Sequence, residues 1–418
     1  MKRPFCSLVT VFMLGSAVAQ AEVSYEFVPN FITPPEGLQT IGSGHGEIQV
    51  DSAGNIYISV DGQGKGGLQV YSPEGKYVKH LPLPETLHGF SIRKTQAGEF
   101  IYAAVLGQQK VIKASLDGNI LLEIPKTSFP DAIANAVSVT LKDGRTLRGF
   151  NPASQDEFLT FTLPEGEMQK VAKSEIAKKC TVILANGQKE EGLNPLKDET
   201  GVTFTVAGKS KKVAFTDMAQ KDGKPAFTEA SSETRGGLRL TSADAASNGD
   251  IYVVDGYGTS WIFVFDAAGK LKRQFGGPAE PFNLKNCHKV HVDTRFQPER
   301  LFLCDRGNKR IMHASLDGEL LGVIATDLRN PSSASFHGDK VCIAEIAGRV
   351  SVWDKEGKMV ASLGANENST QTNTPKVPPG DWRDNLVTSP HGITFDAKGN
   401  ILETEWNTFG RVLRWNVK

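Results

Sequence analysis

The chain has 418 residues, is 39% hydrophobic and 22% charged, and sets 47 Lys plus Arg against 47 Asp plus Glu. That composition belongs to a folded globular chain with ample core. Zero net charge excludes the field that draws a protein to nucleic acid or to an anionic membrane surface, so no nucleic-acid partner is expected.

At the N-terminus, Lys2 and Arg3 precede an apolar run through Val9, Val11, Phe12, Met13 and Leu14, and Ala19-Gln20-Ala21 offers a small-residue cleavage site. This is the pattern of a signal peptide over 1–21, cut before Glu22, and it predicts an exported chain, periplasmic or extracellular. No cysteine follows the cleavage site to take a lipid, and no later stretch approaches the roughly 20 apolar residues of a membrane span. Of the cysteines, Cys180, Cys287, Cys304 and Cys342 remain after cleavage. Cys287 and Cys304 stand at the start of one strand and the end of the next, so either a disulfide or two buried thiols fits.

From residue 45 onward one phrase recurs. Ile48-Gln49-Val50-Asp51-Ser52-Ala53-Gly54-Asn55-Ile56-Tyr57-Ile58 matches the stretch from Ala243 to Val253 and again Ile393 to Glu403, with blurred copies at Phe90, Val290 and Ala334. Each copy alternates apolar and polar residues, turns at Gly, Asn or Asp, and alternates again, which is the period-two signature of antiparallel strands. Units of about 40 residues with three or four such strands have the period of a β-propeller blade. The count gives six, near 45–82, 88–125, 237–276, 287–325, 331–364 and 389–418. The last unit ends too early for a fourth strand, whereas Val23 to Val28 reads as a strand with no unit of its own. That N-terminal strand is predicted to complete the sixth blade, because an unpaired edge is costly.

Residues 131–222 break this period and carry a second repeat. Val139-Thr140-Leu141-Lys142-Asp143-Gly144 returns as Val182-Ile183-Leu184-Ala185-Asn186-Gly187, Thr160 to Leu163 as Thr203 to Val206, and Val171 to Ala177 as Val213 to Ala219. Asp-Gly and Asn-Gly between alternating strands are hairpin turns. The predicted fold class is therefore all-β: a six-bladed propeller in two parts, 22–130 and 223–418, with two small SH3-like β-barrel modules inserted between blades 2 and 3. The insert contains no histidine and is read as a docking surface for a protein partner or as a passenger.

On that frame, six positions stand just before the first strand of each blade: Gly46, His88, Thr241, His288, Ser332 and His391. Histidines at blades 2, 4 and 6 place three imidazoles on one channel rim, a third of a turn apart. Three neutral imidazoles with an open fourth position form the catalytic type of zinc site. The other histidines do not share the spacing: His45 is one position early, His291 alternates into its strand, and His80, His313 and His337 fall on outer strands or turns. A second convergent position follows the second strand, with Asp255-Gly256-Tyr257, Asp305-Arg306, Glu345 and Glu405-Trp406. The loop at Gly380-Asp381-Trp382-Arg383 could overhang the channel.

The repeats resemble NHL repeats. Leu87-His88-Gly89-Phe90, Asp255-Gly256-Tyr257-Gly258, Cys287-His288-Lys289-Val290, Cys304-Asp305-Arg306-Gly307 and Pro390-His391-Gly392-Ile393 resemble, in order, peptidyl-α-hydroxyglycine α-amidating lyase (peptidylamidoglycolate lyase). The resemblance covers the propeller alone. It implies a zinc held by His88, His288 and His391, with Tyr257 and Arg306 as catalytic and substrate-holding residues acting on a small-molecule or peptide ligand at the channel rim. Two departures qualify it. A second substrate arginine of the family falls where this chain reads Val60-Asp61, and an aspartate that ligates a structural calcium falls on Gly392, which puts a channel calcium in doubt. A non-catalytic propeller binding a peptide, glycan or protein fits the same repeats. A calcium-dependent lactonase-type hydrolase would call for channel carboxylates and asparagines rather than histidines.

Overall fold

The computed structural model describes residues 23–61 and 66–418. The expected signal segment, 1–21, lies outside the described residues. The repeated phrase becomes a hairpin for a local reason. In the first blade the Asp51 carboxylate accepts hydrogen bonds from the amides of Ala53 and Asn55 at 2.9 and 2.8 Å, and Asp396 does the same for Lys398 and Asn400. Gly54 and Gly399 close these turns at φ +89° and +84°, in the region where a side chain is strained.

Six four-stranded antiparallel units result, the second and third joined into one eight-stranded sheet by a parallel bridge between Gly89 and Ser242. The first runs Ile48–Val50, Ile56–Val60, Gly67–Tyr71 and Tyr77–Leu81, and the second Leu87–Thr95, Gly98–Val105, Lys110–Ser115 and Ile120–Ile124. The third comprises Ser242–Ala245, Ile251–Val254, Trp261–Phe265 and Leu271–Gly276; the fourth, Cys287–Asp293, Arg300–Asp305, Arg310–Ser315 and Leu320–Ala325. The fifth is Pro331–His337, Lys340–Glu345, Arg349–Trp353 and Met359–Leu363. The sixth has only Pro390–Phe395, Ile401–Glu405 and Val412–Val417 from its own repeat. Its outer strand is Tyr25–Val28, which pairs antiparallel with Val412–Val417 in the register Tyr25 to Val417 and Val28 to Arg414, as the missing edge required.

The core lies between the sheets. Leu87, Phe90 and Ile112 pack with Tyr57 and Leu68 of the first blade, and Phe263 and Phe265 pack with Tyr102 and Val111. Val290 and Leu303 pack with Tyr252 and Val264, Val341 and Ile343 with Phe302 and Ile311, and Ile393 and Trp415 with Cys342 and Val352. Leu402 of the sixth blade meets Ile48 and Ile58 of the first, which closes the ring.

Between the second and third blades stand two further five-stranded antiparallel sheets. Ala136–Thr140, Thr146–Ser154, Phe158–Thr162 and Met168–Ala172 form one, with Thr234–Arg235 on its edge. Lys178–Ile183, Lys189–Lys197, Gly201–Val206 and Lys209–Ala214 form the other, with Phe227–Ser231 on its edge. Sheet membership thus carries the insert to Arg235 rather than 222, because the returning chain supplies the edge strand that neither repeat contains. Each sheet has its own core, around Val139, Leu159 and Phe161 in one and Val182, Val202 and Phe204 in the other. A 3₁₀ turn and the bridges Leu141 to Ile176 and Leu184 to Met218 bend each sheet back on itself.

Among the described residues no helix is long and apolar enough to cross a membrane. Cys287 and Cys304 are buried free thiols that do not face each other, since Cys287 pairs with Asp305 and Cys304 with Lys289.

Candidate metal centre

His88, His288 and His391 each occupy the second residue of an innermost strand. Their Nδ1 atoms do the same thing in turn, and this arrangement explains the alternation along the sequence. His88 Nδ1 bonds the carbonyl of Thr241 at 2.8 Å, His288 Nδ1 that of Ser332 at 2.7 Å, and His391 Nδ1 that of Gly46 at 3.0 Å. Each histidine therefore leans on the same register position of the next blade. Blades 1, 3 and 5 supply the carbonyl, and at Gly46 nothing larger fits, since a Cβ there would meet Ser59 Oγ at 1.6 Å.

A carbonyl accepts, so Nδ1 must carry the proton and Nε2 must present a lone pair. The three rings sit 4.8–5.0 Å apart by centroid, and each residue is 3% exposed. Burial, the leading cause, holds all three imidazoles well below the ordinary histidine pKa, and the positive Arg306 adds to it. They are neutral with Nε2 free to accept, the state in which imidazole binds a metal ion; His45, His88 and His391 bring ring nitrogens within 4.8 Å of one another around one point, and His288 is not of that group.

Tyr257 reaches that point from the loop after the second strand of blade 3. Its hydroxyl lies 3.0 Å from His288 Nε2, 3.2 Å from His88 Nε2 and 3.2 Å from His45 Nε2. A phenol has one proton and cannot satisfy both His88 and His288, whose Nε2 atoms can only accept. His391 Nε2, also buried, has no hydrogen-bond partner among the described residues. The donor set is thus short of protons and rich in nitrogen lone pairs, which a cation would resolve, so the residues fit zinc.

His45 is the residue the spacing argument discarded. Its ring lies 4.9 Å from His88 and 4.8 Å from His391, and burial followed by the charge of Arg306 lowers its pKa to about 4. It was missed because it precedes the first blade's strand on an irregular Gly44-His45-Gly46 segment, where strand phase says nothing about direction.

Arg306 places its guanidinium 5.4 Å from the centre of the Tyr257 ring, and its buried Nη1 has no acceptor among the described residues. Arg239, not foreseen, lies 5.5 Å from the same ring. Burial pushes the Tyr257 hydroxyl pKa up, and Arg306 and then Arg239 pull it back. The rim at this tyrosine is cationic.

The acids at the second convergent position do not face the channel. Asp255, Asp305, Glu345 and Glu405 are at most 1% exposed, and each accepts the backbone amide of the loop leading into its own blade: Arg239, Lys285, Arg329 and Thr388. They latch loops, and the residues just after them, Tyr257 and Arg306, do the facing. The Trp382 loop is held down by Arg411, which donates to the carbonyls of Leu386 and Arg383 and stacks on Trp382 at 5.3 Å.

Beneath the imidazoles the channel is plugged. Lys289 Nζ bonds the Phe90 carbonyl at 3.2 Å and pairs with Glu47, whose oxygens also accept from Ser333 Oγ at 2.9 and 2.8 Å and from the Ile393 amide at 3.1 Å. An ammonium group already occupies the axis, and Gly392 offers no carboxylate. These residues do not fit a channel calcium.

No family model matches the chain. Among solved structures, a streptogramin B lyase is 12% identical, with 95% of this chain and 98% of that one covered at a TM-score of 0.48. A virginiamycin B lyase from Staphylococcus aureus is 11% identical, with 94% and 99% covered at 0.45. A catalytically inactive histidine-to-alanine form of that enzyme with quinupristin scores 0.42 at 11% identity. Likenesses this distant say nothing about chemistry, and the fold stands on the strand pairing above.

Proposed function

We propose that the protein is an exported zinc-dependent lyase that cleaves the C–N bond of an N-acyl-α-hydroxyglycine-type substrate. The observation that carries this reading is the trio of Nδ1-anchored histidines, with His88 and His288 sharing the Tyr257 hydroxyl at Nε2 and His391 Nε2 left without a partner among the described residues. Zinc bound there would supply Lewis acidity toward the substrate's hydroxyl and carbonyl oxygens.

The side chains do the rest. Arg306 holds the substrate carboxylate through its guanidinium, whose buried Nη1 has no acceptor among the described residues. Tyr257, as phenolate, takes the proton of the α-hydroxyl. The hydroxyl oxygen becomes a carbonyl as the C–N bond breaks, and the departing nitrogen gains a proton, so the products are a primary amide and glyoxylate. Arg306 and Arg239 beside the ring favour the phenolate, but burial outweighs them and leaves the hydroxyl pKa raised, so a zinc ion held by the histidines would have to supply the remaining lowering. Incubating the zinc-loaded protein with benzoyl-α-hydroxyglycine and resolving benzamide and glyoxylate by chromatography tests the reading. It expects equimolar products, abolished by chelation; loaded protein that yields neither above the uncatalysed rate refutes it.

A second reading, a propeller that binds a peptide, glycan or protein partner, draws on the insert. Met168 and Leu196 are 71% and 73% exposed there, one on each sheet. Exposed large apolar side chains in matching modules favour a protein contact through residues 131–222 beside a channel site.

A further inference from the structure

We propose that His45 is a fourth imidazole of the centre, directed at the metal ion in the resting protein and displaced when substrate enters. The proposal rests on the metal reading above and adds a resting state to it.

His45, His88 and His391 each offer a nitrogen within 4.8 Å of the others'. His45 Nε2 also shares the Tyr257 hydroxyl with the Nε2 atoms of His88 and His288, at 3.2 Å against 3.2 and 3.0 Å. The close trio is thus His45, His88 and His391, and His288 joins it through the Tyr257 hydroxyl, 3.0 Å from its Nε2. Four nitrogen ligands complete a tetrahedral set, whereas three leave a position for substrate.

His45 differs from the other three in how it is held. Their Nδ1 atoms are fixed to carbonyls of a neighbouring blade; among the described residues no carbonyl holds that of His45. Its ring rests instead on Trp406, at 5.2 Å between centroids, and on Tyr257, at 6.1 Å and nearly parallel. It is partly exposed where the others are buried. Held by stacking and by the Tyr257 hydroxyl but not by an Nδ1 bond to a neighbouring blade, the ring can make a side-chain rotation that the anchored rings cannot. The backbone stays put, because Gly44 pairs with Asn407 across to the sixth blade. His45 is thus the exchangeable ligand, and the tethered three form the permanent base.

Cobalt(II) reports the ligand set without any turnover. Wild type, His45→Asn and His45→Gln are loaded with cobalt, their visible spectra recorded, and their zinc affinities measured by competition with a chromophoric chelator; circular dichroism confirms the fold of each. The expected result is a four-coordinate cobalt spectrum in the wild type, an altered one in both variants, and zinc affinity at least ~10-fold weaker without the imidazole. Spectra and affinities unchanged in both folded variants overturn the proposal and leave the three-histidine centre standing. A wild type that takes up neither metal overturns the metal reading itself, and this proposal with it.

Discussion

Asp244 ties three blades together at the end of the channel away from the histidines, and replacing it with asparagine should cost more than any other isosteric change in the propeller. Its carboxylate is fully buried. One oxygen accepts from Arg93 Nε at 2.7 Å and the Ala245 amide at 2.8 Å; the other accepts from Arg93 and from the Val292 amide at 2.7 Å, and His291 Nδ1 lies 2.8 Å from it. Asp244→Asn keeps the shape but removes the charge, leaves the Arg93 guanidinium without a counter-ion, and turns an amide donor toward other donors. Breaking one side of such a pair costs about 3–5 kcal/mol. Urea unfolding followed by tryptophan fluorescence measures this, since all five tryptophans lie in the propeller. The Arg93→Met/Asp244→Asn double variant should lose less than the sum of the single losses, with a coupling of about 1–3 kcal/mol. The pH dependence has a definite sign. Burial alone would raise the Asp244 pKa, but Arg93 and His291 outweigh it and hold the carboxyl well below its ordinary value. Its contribution is full above the unfolded pKa of about 3.9 and fades as pH falls toward the folded value, so the variant should show a flatter acid limb. A cost under about 1 kcal/mol, or strict additivity in the double variant, refutes the reasoning.

Tyr257→Phe should lower turnover of an α-hydroxyglycine substrate by at least ~100-fold with metal content unchanged, measured by product formation alongside elemental analysis. Asp305→Ala removes the acceptor for the Lys285 amide, Asn308 Nδ2 and Arg310 Nε; a loss of about 1–3 kcal/mol in chemical unfolding is expected, with the substrate KM raised because Arg306 sits on the loosened loop. Joining Asn135 directly to Gly236 should leave the metal site and the propeller's thermal midpoint intact. The Gly236 amide already bonds the Ala136 carbonyl at 2.7 Å, and each excised sheet keeps its own core. A collapsed midpoint by calorimetry would show that the insert is structural.

The propeller was legible because its blades repeat one physical solution: an apolar–polar strand, an Asp-capped turn with glycine at positive φ, and a second strand. Even the closing strand could be read, since the sixth repeat visibly lacked one. The insert's end was not, because Phe227–Ser231 and Thr234–Arg235 are edge strands supplied from outside the repeats. At the site, the alternation of histidine with Gly46, Thr241 and Ser332 was visible as a pattern, but its cause is a hydrogen bond between blades that no single-strand argument contains. The acids before Tyr257 and Arg306 looked like channel residues because strand phase gives the position and not the side to which a loop-end side chain turns. His45 and Arg239 stand outside regular strands, where periodicity has no phase to offer.

The central claim is that the Nε2 atoms of His88, His288 and His391 bind a metal ion, and elemental analysis by plasma mass spectrometry tests it most directly. Purified protein is dialysed against zinc and then against buffer, beside the His88→Ala/His288→Ala/His391→Ala variant, with circular dichroism confirming that both are folded. The account predicts one zinc per chain in the wild type and none in the variant. Zinc absent from the folded wild type, or retained equally by the folded variant, would contradict it.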